Sequence, residues 1–88
     1  MTNNNYEDPF LKIIPKLDLH GYTSDMIPFA VSDYINISIK MGYSKIGFIH
    51  GRHGGIIKKS VHECLKRDKR IKKYYTYYEN DGVTVVEL

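Results

Sequence analysis

Eighty-eight residues, 42% of them hydrophobic and 26% charged, are enough for one small globular domain and too few for two. The lone Cys64 excludes an internal disulfide and gives no zinc-ligand spacing, and no apolar run approaches the roughly 20 residues that span a bilayer. With a net charge of +3, a pI near 9.0 and no basic-then-hydrophobic leader, these features point to a cytoplasmic chain without a membrane partner and leave anionic partners open.

Residues 1–15 read as a flexible or linker-like lead, polar as far as Pro9. Its last part, Phe10-Leu11-Lys12-Ile13-Ile14-Pro15, is suited to packing as an extended edge. The domain proper is expected over residues 16–88. Leu17-Asp18-Leu19-His20-Gly21 alternates apolar and polar residues, as a short strand with one wet face does. In such a strand Asp18 and His20 point to the same side. Thr23-Ser24-Asp25 supply cap residues, and Pro28 suits only a first helical turn. Ile27, Ala30, Val31, Tyr34, Ile35 and Ser38 then recur at helical spacing, with Gly42 placed to stop the helix near Met41. Lys45-Ile46-Gly47-Phe48-Ile49 is apolar enough for a central strand.

A second helix is predicted over residues 55–67. Ile57, Val61, Cys64 and Leu65 form its buried stripe, and Lys58, Lys59, His62, Lys66 and Arg67 lie on or beside its exposed face. The tyrosine-rich run from Ile71 to Tyr78 favours a strand. Asn80-Asp81-Gly82 signals a tight turn, and residues 83–88 return as the second strand of a hairpin. The element order is β-α-β-α-β-β.

Chemistry concentrates where the second strand ends, in His50-Gly51-Arg52-His53-Gly54-Gly55. The glycines permit a tight turn and close backbone approach, and a helix opening behind them offers free N–H groups and a positive dipole end to an anion. An ordinary strand-to-helix turn has the same glycines; Arg52, His50 and His53 favour a phosphate site. Of the 13 Lys and Arg residues, nine (Arg52, Lys58, Lys59, Lys66, Arg67, Lys69, Arg70, Lys72 and Lys73) fall in one segment that holds only Glu63 and Asp68 as acids. Such a segment is either a solvated face or a footprint for a phosphate backbone.

Two strand-to-helix loops leaving parallel neighbours emerge on one edge of a sheet, which sets Asp18 and His20 beside His50, Arg52 and the Gly54–Gly55 turn. Asp18 then either orients the His20 imidazole for acid–base work or caps the turn that follows it. Adjacent tyrosines alternate between sheet faces, so about half of Tyr74, Tyr75, Tyr77 and Tyr78 belong to the core and the rest are free to stack on bases. His62 and Cys64 fall on different faces of the second helix and do not share a metal; no metal ligands are assigned.

Leu17-Asp18-Leu19-His20-Gly21, His50-Gly51-Arg52 about 30 residues on, and the ending Gly82-Val83-Thr84-Val85-Val86-Glu87-Leu88 together resemble the Smr (small MutS-related) domain. The ending is most similar to the C-terminal Smr domain of bacterial MutS-type recombination suppressor proteins. The first motif matches the family's LDLHG in full. The second, HGxG in the family, matches at His50 and Gly51 and departs at His53, where a glycine is expected; Gly54 and Gly55 follow at once.

The resemblance implies an α/β fold, a two-layer sandwich of a mixed four-stranded sheet and two helices, similar to the C-terminal domain of translation initiation factor three. It also implies nucleic-acid binding and, in many members, endonuclease activity that nicks DNA or cuts RNA. Carried over by motif, Asp18, His20 and His50 are the catalytic candidates. Gly51 and Arg52 are the phosphate contacts, joined by His53, Gly54, Gly55, Lys58 and Lys59 from the same loop and helix start. RNA supplies its own 2′-hydroxyl as nucleophile and requires no metal. Nicking DNA calls for activated water and favours a divalent cation, Mg or Mn. The rival expectation is a non-catalytic module for branched or single-stranded nucleic acid, appended to a larger repair, recombination or translation-quality-control protein. Its partners are then DNA or RNA and the other domains of its parent chain.

Overall fold

A computed structural model of the chain describes residues 12–52, 55–77 and 80–88. Most of the predicted lead, together with His53, Gly54 and Tyr78, lies outside the described residues. The elements are β1 (Lys16–Asp18), α1 (Ile27–Lys40), β2 (Lys45–Ile49), α2 (Gly55–Arg67), β3 (Lys73–Thr76) and β4 (Val83–Glu87). A single 3-10 turn, Ser24–Met26, leads into α1. The strands form one sheet in the order β1-β2-β4-β3, parallel between β1 and β2 and antiparallel elsewhere. This is the mixed sheet with two helices that the sequence led us to expect.

Side-chain alternation divides the sheet into two faces. Ile46 and Phe48 of β2 and Val86 of β4 join Ile27, Val31 and Ile35 of α1 and Val61 and Leu65 of α2 in one buried cluster. Phe48 is wholly buried, worth about 2–3 kcal/mol relative to exposure, and meets the Tyr34 ring edge-on at 5.7 Å. On the opposite face Val83 and Val85 pack with Ile14 and Tyr77 in a second, smaller cluster. Tyr74 packs on the helix side and Tyr75 on the other, as alternation requires.

α1 begins with Pro28 in its first turn, where the missing N–H costs nothing. It ends in a Schellman motif. Gly42, at φ +80°, donates to the Ile39 carbonyl (3.0 Å) and Tyr43 donates to that of Ser38 (3.0 Å). Ser38 itself is fully buried, and its hydroxyl has no hydrogen-bond partner among the described residues. Ser38→Ala is therefore expected to leave stability unchanged or raise it by up to about 1 kcal/mol, since it removes a desolvated polar group and improves helix propensity. Urea denaturation checks this; a loss of stability would mean that the hydroxyl has a partner after all.

The register decides where chemistry can be placed. Asp18 stands opposite Ile49, and Ile49 stands opposite Val83. The turn after β1, the loop after β2 and the hairpin turn before β4 therefore all emerge at one end of the sheet.

Candidate functional site

β1 is shorter than its alternation suggested. The Asp18 carboxylate turns back to accept the His20 N–H (Oδ1···N 2.9 Å), closing an Asx-type turn at the strand end. Leu19 donates its N–H to Ile49 (2.9 Å) while its side chain is buried in the core. His20 thus stands exposed on a turn rather than on the strand. This corrects the expectation of two side chains sharing one strand face. Of the two readings of Asp18, the structure displays the cap: the carboxylate holds the backbone of His20.

The β2 loop is tied to the hairpin. The N–H groups of His50 and Gly51 both donate to the Gly82 carbonyl, at 2.9 and 3.0 Å. Gly51 then turns through φ +85°, a conformation that costs an L side chain about 1–2 kcal/mol. Gly82 is held tightly in return. A Cβ there would lie 3.1 Å from both Arg52 N and Gly51 C, so the hydrogen-bonded backbone of the loop would have to give by a few tenths of an ångström. Gly82→Ala is expected to cost about 1–3 kcal/mol and to shift the Gly51 and Arg52 amide resonances. Urea unfolding and amide spectra check both, and wild-type spectra would show that the loop yields without consequence.

His50 is buried at 7% exposure, with both ring nitrogens engaged inside the protein. Nδ1 lies 3.2 Å from the Gly51 carbonyl oxygen and Nε2 lies 2.7 Å from Thr84 Oγ1. The same hydroxyl meets His62 Nε2 at 2.8 Å. His62 was expected on or beside the exposed face of α2; it is instead partly buried, with its ring turned to the sheet and edge-on to Tyr74 at 5.2 Å. Thr84 is fully buried opposite Phe48.

Burial is the leading cause that pushes both histidines below the ordinary 6.5. For His50 the Gly51 carbonyl opposes that shift, Lys58 adds to it and Asp81 opposes it. For His62 the neighbouring His50 and Lys58 both add to it. Cys64 packs against the core, with its thiol pushed up by burial, away from the face that His62 uses.

The cationic groups are unevenly committed. Arg52 pairs with Asp81 at 3.4 Å, but both side chains are more than half exposed (58% and 64%), so the pair is worth about 0–1 kcal/mol and opens readily. Arg70 is committed to structure. It grips Asp68 through Nε (3.0 Å) and Nη2 (2.7 Å) and reaches Ser32 Oγ of α1 at 3.2 Å. Lys73 lies 3.8 Å from Glu87. Lys58 and Lys59 sit in the first turns of α2, half-buried and exposed respectively. An open, mostly apolar groove of about 530 Å³ between β1 and α1, lined by Leu17, Met26, Phe29, Tyr34 and Ile37 among others, includes none of these candidates.

The family model described as the Smr domain matches residues 17–88. This chain belongs to the Smr family. A protein named Endonuclease MutS2 from Staphylococcus saprophyticus is 36% identical over 76 residues, covering 83% of this chain and 10% of that protein. One of the same name from Caldanaerobacter subterraneus is 35% identical over 79 residues, covering 86% and 10%. This Smr domain therefore spans about a tenth of the length of the curated relatives it matches. The solved Smr domain of Thermus thermophilus MutS2 superposes with a TM-score of 0.79 at 27% identity, covering 84% of this chain and 96% of that one. YdaL, a stand-alone small MutS-related protein of Escherichia coli, shares the fold at TM-score 0.75 and 21% identity, over 83% and 63%.

Within this Smr domain the turn after Asp18 and the loop at His50 emerge at one sheet end, where they are joined by two residues that the sequence did not single out as site residues. His62 flanks the buried stripe, directly after Val61 and one turn beyond Lys58, which is where a half-buried polar side chain belongs. Thr84 shares the inward parity of Val86, so alternation alone places a hydroxyl in the core beside the histidine loop.

Proposed function

We propose that this Smr domain cleaves nucleic acid, with His20 as the acid–base group presented to a phosphodiester. Its phosphate is held by the Gly51–Arg52 loop, by His53, Gly54 and Gly55 that complete it, and by Lys58 and Lys59. The observation that carries this reading is the placement of an exposed histidine turn beside a glycine turn at the ends of adjacent parallel strands, with Asp18 opposite Ile49. The endonuclease names of the curated relatives support it.

Asp18 fixes the backbone from which His20 projects. On RNA, His20 takes the 2′-hydroxyl proton as that oxygen bonds to phosphorus; the bond from phosphorus to the 5′-oxygen breaks, and the departing oxygen takes up a proton from water. On DNA the same base would deprotonate water. His50, with both nitrogens engaged internally, acts from behind the loop as a positioning residue and does not touch the phosphodiester. Among the described residues no three His, Cys, Asp or Glu side chains stand together as a metal-binding group, and Asp18 Oδ1 accepts the His20 N–H. These residues do not form a cage for Mg or Mn.

Incubating the purified chain with supercoiled plasmid and with structured RNA, each with and without EDTA, tests the reading. Cleavage of at least one substrate is expected. EDTA-resistant RNA cleavage would select the 2′-hydroxyl route, and EDTA-sensitive nicking the DNA route. Salt-dependent binding that Arg52→Ala weakens, with no cleavage of either substrate, would replace the enzyme by a binding module.

A further inference from the structure

We infer that Thr84 and His62 are positioning residues: the hydrogen-bond chain His62–Thr84–His50 sets the direction of the Gly51–Arg52 peptide and leaves the Arg52 N–H as a donor to phosphate. Each contact in the chain fixes the place of one proton. The Gly51 carbonyl oxygen can only accept, so the contact at 3.2 Å requires a proton on His50 Nδ1. A neutral His50 then carries its lone pair on Nε2, and Thr84, 2.7 Å away, donates its hydroxyl proton there. Having spent its one proton, Thr84 Oγ1 accepts from the other ring at 2.8 Å, which places the His62 proton on Nε2. One arrangement satisfies all the atoms. The opposite tautomer of His50 would set a lone pair against the carbonyl oxygen.

The consequence lies in the next peptide. In a trans peptide the C=O and N–H point in opposite directions. With the Gly51 carbonyl drawn to the His50 ring, the Arg52 N–H points away from that ring, and no acceptor among the described residues takes it. The two preceding N–H groups are already given to Gly82. An anion arriving at this exposed residue would therefore meet an oriented donor, with the Arg52 side chain beside it. Burial, which holds both rings below the ordinary 6.5, keeps the neutral pattern in place at neutral pH.

This inference rests on the proposed cleavage only for its effect on rate, since tautomers are read without substrate. Long-range ¹H–¹⁵N spectra of the whole chain at neutral pH are expected to show His50 protonated on Nδ1 and His62 on Nε2; His50 protonated on Nε2 overturns the inference. Thr84→Val, isosteric but without the hydroxyl, should release His50 from the Nδ1–H form and move the Arg52 amide resonance, whereas Thr84→Ser should preserve both. His62→Gln retains a side-chain N–H donor and should keep the His50 tautomer, which His62→Leu should lose. Should Thr84→Val fail to fold, the wild-type tautomers and the His62 variants decide alone. Titration with inorganic phosphate, followed at the Arg52 amide, should weaken about tenfold in His62→Leu, the equivalent of one charge-assisted hydrogen bond. Wild-type tautomers or wild-type phosphate affinity in His62→Leu would defeat the positioning role. Failure of the cleavage assays alone would leave these tautomers as they are and refute only the enzymatic reading.

Discussion

His20→Ala is expected to lower cleavage about 10²–10⁴-fold, the usual contribution of a positioned acid–base group, while stability stays within about 0.5 kcal/mol of wild type. Both halves follow from the same geometry. His20 is exposed on the turn after β1, and its structural bond is made by its backbone N–H to Asp18, which alanine retains. Loss of rate can therefore not be assigned to loss of fold. Asp18 variants separate the remaining possibilities. Asp18→Asn keeps a carbonyl oxygen to accept the His20 N–H but removes the charge; if the carboxylate serves only as a cap, the rate is retained. Asp18→Ala removes the acceptor, should cost about 1 kcal/mol, and should lower the rate by freeing the turn. Thermal midpoints measured beside plasmid and RNA cleavage rates make the comparison. Equal rates for wild type and His20→Ala on both substrates would remove His20 from the mechanism.

Much of this architecture was readable from the sequence because local and global signals agree. Residues 45–49 and 55–67 were predicted at the bounds observed, and Pro28 and Gly42 mark the two ends of α1 as their backbone chemistry requires. The misreadings have physical causes. The alternation of Leu17 to Gly21 continues past the true strand, because a carboxylate that caps its own turn two residues on preserves the polar-apolar rhythm while ending the ladder. His62 looked solvated because a helical wheel assigns faces by spacing. It is drawn inward by a hydroxyl 22 positions away in the chain, a partner that no local pattern contains. Gly82 looked like a turn residue only. Its lack of a side chain also lets the hairpin lie against the Gly51–Arg52 backbone, a tertiary demand invisible until the strands are paired. The basic segment likewise read as one charged surface, and only the fold reveals that Arg70 is spent on Asp68 and Ser32.

The buried histidine pair should make the domain lose stability as pH falls from about 7 to 5, and His62→Gln should make that loss shallower. In the unfolded chain each ring takes a proton near 6.5, whereas burial holds both below that value in the folded state. Between those values the unfolded chain binds more protons, so stability rises with pH. The contribution is complete above 6.5 and is lost as pH drops through the folded values, with a slope of at most about 1.4 kcal/mol per pH unit for each ring. The charges that bear on the pair, Lys58 against protonation and Asp81 in favour of it for His50, modify the shift without reversing it. Asp68, held below 3.8 chiefly by its hydrogen bond from Arg70, contributes stability that is lost only at more acid pH, outside this window. The structural reason for the cost is the single hydroxyl between the rings. Two imidazolium rings would both offer Nε2–H to Thr84, leaving its own proton without an acceptor in a fully buried site and placing like charges 6.2 Å apart. Urea midpoints measured across the range check the prediction, with His62→Gln expected to retain roughly half of the wild-type slope because one titrating ring remains. A midpoint that is flat or rises on acidification, or an unchanged slope in His62→Gln, would mean that the two rings are solvated independently and that Thr84 does not join them.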